Sequence, residues 1–245
     1  MEPGSNGTTE TTAITGETPV EMTPTTPSPA PGTTGPPSGC QCGIPNRATR
    51  IVGGEVTEVN EYPWQVGIID TDTGKPYCGG SILSSRTILT AAHCTVDSSA
   101  GSMTVVVGEH DWTVPGDGEQ RMTVCGKEEH PSYNSRTLDY DFSILTLCED
   151  ITLQQQIAAP VCLPFSPRSA YANISAIVSG WGTLASGGSQ PDQLMEVEVE
   201  TMTNTACNRS YDGDITDQMI CAANDGKDAC QGDSGGNNQL SFISS

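Results

Sequence analysis

The sequence predicts an all-β protein, a barrel or a sandwich, from residue 40 onward. Three observations carry this. Short runs rich in Val, Ile, Leu and Thr recur along the chain. Clusters of Gly, Pro, Asn, Asp and Ser punctuate them, as turns between strands require. No long stretch repeats its apolar residues with the helical period. Many short strands of this kind bury enough apolar surface only by closing into a barrel or pairing two sheets.

In chain order, the expected strands are Trp64–Ile69, Gly80–Leu83, Thr87–Thr90, Met103–Val107, Arg121–Cys125, Phe142–Leu147, Ile174–Gly180 and Leu194–Val199. Within the last, Glu196-Val197-Glu198-Val199-Glu200 alternates with period two, which predicts one wet face. Two short helices are expected, at Ala91–Cys94 and near Thr203–Ser210. There is no internal repeat.

Residues 1–39 differ in kind. They hold 11 Thr, 8 Pro and 6 Gly, four Glu, and no Lys or Arg. So little apolar surface does not offset the entropy of ordering, and the segment reads as a disordered linker or an O-glycosylated stalk. Sequons stand at Asn6, Asn173 and Asn208. The chain of 245 residues carries 10 Lys+Arg against 30 Asp+Glu, net −20. Only four acids lie in residues 1–39, so 26 acidic and 10 basic residues, net −16, belong to residues 40–245. That balance excludes nucleic acid and anionic membrane surfaces as partners, since both need clustered Lys and Arg. No window approaches the roughly 18 apolar residues of a membrane span. Ten scattered cysteines point to an oxidising, extracellular compartment. Met1 to Glu10 has neither the basic nor the apolar region of a signal peptide.

Three segments carry chemistry: Leu89-Thr90-Ala91-Ala92-His93-Cys94, Asp139-Tyr140-Asp141-Phe142-Ser143-Ile144-Leu145, and Asp228-Ala229-Cys230-Gln231-Gly232-Asp233-Ser234-Gly235-Gly236. A lone His or Asp is usually structural, whereas Gly-Asp-Ser-Gly-Gly seldom arises by chance. Together, in the order His, Asp, Ser, they resemble the chymotrypsin/trypsin family of serine proteases; subtilisins and α/β-hydrolases order the same groups differently. Arg50-Ile51-Val52-Gly53-Gly54, Tyr77-Cys78-Gly79-Gly80-Ser81 and Ser179-Gly180-Trp181-Gly182 extend the resemblance over residues 40–236. It implies a double six-stranded β-barrel.

The resemblance also implies roles. Ser234 is the expected nucleophile, His93 its general base and then acid, and Asp141 the group that fixes the His tautomer. Asp139 competes with Asp141. Asp141 is preferred because the family's aspartate directly precedes an apolar strand. The backbone N–H groups of Gly232 and Ser234 would form the oxyanion hole, with Gly232 free to take a positive φ. Asp228, six residues before Ser234, matches the pocket floor that binds Arg or Lys. Cleavage after Arg50 would free the Ile51 amine to pair with Asp233 and order the oxyanion loop. The implied partners are protein or peptide substrates, an activating protease and serpin-type inhibitors.

By the same resemblance Cys78 pairs with Cys94, Cys207 with Cys221, and Cys162 with Cys42 or Cys40. Cys125 and Cys148 are left to bridge neighbouring strands. Cys230, whose family partner lies beyond the nucleophile, joins Cys40 or Cys42 as an unmatched thiol. No cofactor is required. The loop from Glu109 to Gln120 resembles the calcium loop of trypsins, with Glu109, Glu119 and the carbonyls of Asp111 and Val114 as ligands. A solvated acidic loop is the competing and weightier reading. The domain order is thus 1–39 stalk, 40–50 propeptide and 51–245 protease domain. Only 11 residues follow Ser234. A second barrel left incomplete at its C-terminus is therefore expected, and with it an inactive fragment or a non-catalytic decoy as the alternative to a peptidase.

Overall fold

A computed structural model describes residues 41–47, 55–70, 74–116, 118–164, 171–183, 188–223 and 242–244. The stalk (1–39), Cys40, Arg50, Ile51, Asp228, Cys230, Gly232, Asp233 and Ser234 lie outside the described residues. The strands are β1 (Glu55–Val56), β2 (Gln65–Asp70), β3 (Pro76–Ser84), β4 (Thr87–Thr90), β5 (Met103–Val107), β6 (Gln120–Glu129), β7 (Ser143–Leu147), β8 (Ser175–Gly180), β9 (Met195–Met202), β10 (Cys221–Ala223) and β11 (Phe242–Ser244). A single short helix, α1, spans Asn204–Cys207 among the described residues. No described helix is long and apolar enough to cross a membrane.

Six strands close a barrel in the order β2-β3-β4-β7-β6-β5, every pair antiparallel. Closure removes the edges that would otherwise template aggregation. Period two sets the core. In β6, Met122 and Val124 point inward while Arg121, Thr123 and Cys125 are exposed; in β7, Ser143, Leu145 and Leu147 are buried and Thr146 is exposed. Val66, Ile68, Ile82, Ile88 and Val105 complete the apolar interior. Gly80 belongs there because there is no room for a side chain. A Cβ would lie 2.9 Å from the methyls of both Val66 and Ile88.

The second sheet runs β1-β9-β8-β11, with β10 also paired to β9. β1 and β10 take the two ends of β9, through Glu55↔Glu196 and Cys221↔Met202. No strand was expected after Ser234, yet the backbone of Phe242–Ser244 pairs with β8, Ile243 opposite Val178. The barrel meets this sheet through buried contacts. Leu194 N–H donates to His110 O (2.8 Å), Ser179 Oγ to Gln65 Oε1 (3.0 Å), and Trp112 packs edge-on against Trp181.

Five sequence expectations need correction. β3 starts at Pro76 rather than Gly80, and Gly80 within it is a close approach inside the barrel. β6 runs four residues past Cys125, its register shifting between Val124 and Gly126. The expected helix at Ala91–Cys94 is a 3-10 turn at Ala92–Cys94, and the one near Thr203–Ser210 keeps only Asn204–Cys207, with the Thr203 side chain as its N-cap. Finally, the wet face of β9 is not wet at Glu196, which is buried. Arg47 and Tyr62 cover it.

Candidate active site

His93 sits in the 3-10 turn that follows β4. The turn is held from below and from both sides. Ala91 and Ala92 are fully buried, Thr90 Oγ1 donates to Gly79 O at 2.8 Å, and Cys94 is bonded to Cys78 on β3. Asp141 lies two residues before β7, the strand next to β4. Barrel closure thus brings together two residues 48 apart in sequence. Asp141 Oδ2 lies 2.6 Å from His93 Nδ1, and Asp141 Oδ1 accepts the His93 backbone N–H at 2.8 Å. Both side chains keep 17% of their surface exposed. A carboxylate at Nδ1 favours the tautomer that keeps its hydrogen there, which puts the lone pair on Nε2, 3.4 Å from Cys94 Sγ.

The loop before Asp141 is bent to make this possible. Leu138 and Tyr140 have φ of 55° and 53°, left-handed values that cost such side chains about 1 kcal/mol or more each. Ring packing offsets that cost: His130 stacks on Tyr140 at 4.6 Å and meets Phe142 at the same distance. Asp139 points elsewhere and accepts from Thr216 Oγ1 at 2.6 Å. Burial, then the carboxylates of Asp141 and Asp97, push the Tyr133 phenol up.

A second layer was not legible in the sequence. Thr95, fully buried just after the His93 turn, places its Oγ1 2.8 Å from Glu129 Oε1 and 3.1 Å from Ser143 Oγ. Lys127 Nζ donates to Thr95 O (2.6 Å) and to Glu129 Oε1 (2.8 Å). The end of β6 therefore grips the His turn by both its carbonyl and its hydroxyl. Ser143 ties the same hydroxyl to the start of β7, beside Asp141.

The described disulfides are Cys42–Cys162, Cys78–Cys94, Cys125–Cys148 and Cys207–Cys221. In the acidic loop, Asp111 accepts from Thr113 N and Oγ1, and its carbonyl accepts from Val114 N. Both oxygens of Glu119 lie within reach of Gly116 N–H, at 3.2 and 3.1 Å. Glu109 is buried and accepts from His110 N. These oxygens accept hydrogen bonds within the loop itself. Among the described residues, one cluster of three His, Cys or acidic ligand atoms is close enough for a metal, Cys78–His93–Cys94, and its sulfurs form a disulfide.

The fold is thus a closed six-stranded antiparallel barrel with a carboxylate-held imidazole at its rim, a pair of the kind that general base chemistry uses. A family model, Trypsin, matches residues 51–238. The chain is 38% identical to trypsin alpha-4 of Lucilia cuprina over 196 residues, which are 79% of this chain and 74% of that protein. It is 38% identical to trypsin alpha of Drosophila erecta over 197 residues and 39% identical to trypsin delta of Drosophila melanogaster over 197. Those alignments cover 79% of this chain in both cases, and 74% and 75% of the relatives. The chain belongs to the trypsin family and is by family a trypsin-like serine endopeptidase.

Proposed function

We propose that the chain is the zymogen of an extracellular endopeptidase that cuts peptide bonds after Arg or Lys. The observation that carries this reading is the double hold of Asp141 on His93. It commits Nδ1 to Asp141, and Nε2 is the ring nitrogen that would take a proton from a hydroxyl. Ser234 Oγ would attack the scissile carbonyl as His93 removes its proton, and His93 would then return that proton to the leaving amine. The N–H groups of Gly232 and Ser234 would receive the oxyanion. Asp228 would pair with the substrate's Arg or Lys. An activating protease would cut after Arg50, and the new Ile51 ammonium would pair with Asp233. Serpin-type inhibitors would engage the same site as substrates do. Four disulfides and the family support an extracellular setting. Calcium binding by the 109–119 loop is a separate proposal, tested by calorimetry and by the thermal shift on adding Ca²⁺.

The test is cleavage after Arg50 followed by titration with a Ser-directed phosphonate. Stoichiometric labelling of Ser234 and turnover of an Arg substrate are expected. A fully cleaved, folded chain that takes no label would overturn the reading in favour of a non-catalytic binding protein or an inactive fragment.

A further inference from the structure

Arg47 is a buried cation that the chemistry above does not use. Its side chain is 9% exposed and lies between two carboxylates that are themselves buried, Glu61 at 1% and Glu196 at 5%. Nε stands 2.6 Å from Glu61 Oε1, and an Nη donates to Glu196 Oε1 at 2.7 Å. The remaining oxygens are also engaged. Glu58 N–H donates to Glu61 Oε2, and the Tyr62 hydroxyl donates to Glu196 Oε2. The preceding residue is tied down as well. Asn46 N–H donates to Glu61 O (2.9 Å), and its side-chain amide donates to Asn60 O and Gln156 O. Further back, Cys42 is bonded to Cys162 and Gly43 N–H donates to Pro160 O.

The segment Asn46-Arg47-Ala48-Thr49-Arg50 offers two bonds to a protease that recognises arginine. A cut after Arg50 starts the new chain at Ile51. A cut after Arg47 starts it at Ala48 and leaves three residues ahead of the amine that activation needs. We propose that the Glu61–Arg47–Glu196 ion network withholds Arg47 from proteases, so that processing of the precursor is confined to Arg50. A protease must draw the arginine into its own pocket and straighten the flanking backbone. At Arg47 that means breaking both ion pairs and the three Asn46 bonds at once, and leaving two buried carboxylates facing each other without their cation. Cleavage then waits on local opening and tracks the rare open population. The inference deepens the zymogen reading and rests on it for its purpose.

The experiment is limited digestion of the full chain with trypsin, with new N-termini counted by mass spectrometry after reduction. A synthetic peptide of residues 43–54 is the comparator. The peptide should be cut after both arginines. The folded chain should give Ile51 ends, with Ala48 ends at least about tenfold less frequent relative to Ile51 than in the peptide. The double variant E61Q/E196Q should raise the Ala48 share toward that of the peptide. Should that variant fail to fold, R47K serves: it remains a trypsin site but loses the guanidinium fork, and its share of cleavage after residue 47 should also rise. A folded chain that gives Ala48 ends at the peptide's ratio overturns the proposal. So does a peptide cut only after Arg50, or folded variants that keep the wild-type ratio. Ile51 ends without any gain of phosphonate labelling would sink the zymogen reading while leaving the shielding of Arg47 standing.

Discussion

Asp141 spends both carboxylate oxygens on His93, Oδ2 on the ring and Oδ1 on the backbone N–H. One residue thereby sets the ring's tautomer and the position of the turn that carries it. Asp141→Asn keeps the shape but loses the charge and offers an amide to one of these contacts. Turnover of the activated chain should fall by roughly 10⁴-fold, the scale found when the aspartate of a Ser-His-Asp triad is so changed. The downfield N–H resonance of His93 should vanish with it. Asp139→Asn should leave turnover within about threefold, because its oxygen can still accept from Thr216. Equal losses in the two variants would refute the assignment.

The grip of β6 on the His turn should register as acid sensitivity. Burial alone would raise the Glu129 carboxyl, but the hydrogen bonds from Lys127 and Thr95 outweigh it and hold it below the ordinary glutamate value. A folded-state value below the unfolded one gives stability that is present above the unfolded value and lost as pH falls through the folded one. Urea midpoints of the wild type should therefore drop on acidification through that window. Glu129→Gln should flatten that part of the profile while keeping an acceptor for Thr95. Glu129→Ala should cost on the order of 1 kcal/mol at neutral pH. An acid limb unchanged in Glu129→Gln would assign the loss to other carboxylates.

What the sequence revealed and what it hid divide along sequence distance. The barrel strands were legible because alternation is local, so β4 at Thr87–Thr90 and β5 at Met103–Val107 match their expected bounds. His93 and Asp141 were legible because each sits in a short motif. Glu196 was misread because period two tells which face a residue takes and not what covers that face. Its cover, Arg47, is 149 residues away. The Thr95–Glu129–Lys127 contacts were invisible for the same reason. Each residue taken alone reads as ordinary surface or strand, and only closure of the barrel makes them neighbours.

Gly80 tests how tightly that barrel is closed. Its strand lies between β2 and β4, and an added methyl would sit 2.9 Å from Val66 Cγ2 and Ile88 Cγ2 and 3.0 Å from the backbone oxygen of Leu89. Side chains can yield a few tenths of an ångström, but the Leu89 carbonyl is fixed by the strand pairing. Gly80→Ala should cost about 1–3 kcal/mol in chemical unfolding. Gly101, with nothing within 4 Å of the same built atom, is the control and should change little as Gly101→Ala. Matching losses at the two sites would show that crowding around Gly80 is not the cause, since the entropy change of Gly→Ala alone is stabilising.

The Cys125–Cys148 disulfide should act on the unfolded chain more than on the folded one. It closes a loop of 23 residues between β6 and the end of β7, and Cys125 is exposed on the outer face of its strand. Removing it takes nothing from the core, so the loss is mainly the loop-closure entropy of the denatured state, roughly 3 kcal/mol for a loop of this length. The double variant C125S/C148S should accordingly unfold at lower urea, with a larger m-value because its denatured state expands. Turnover below the transition should match the wild type. Cys78–Cys94 differs because both sulfurs are buried and the bond tethers the turn that carries His93. C78S/C94S should lose stability and turnover together. If C125S/C148S lost turnover as steeply while still folded, the outer disulfide would be positioning the site, and the division between the two bonds would fail.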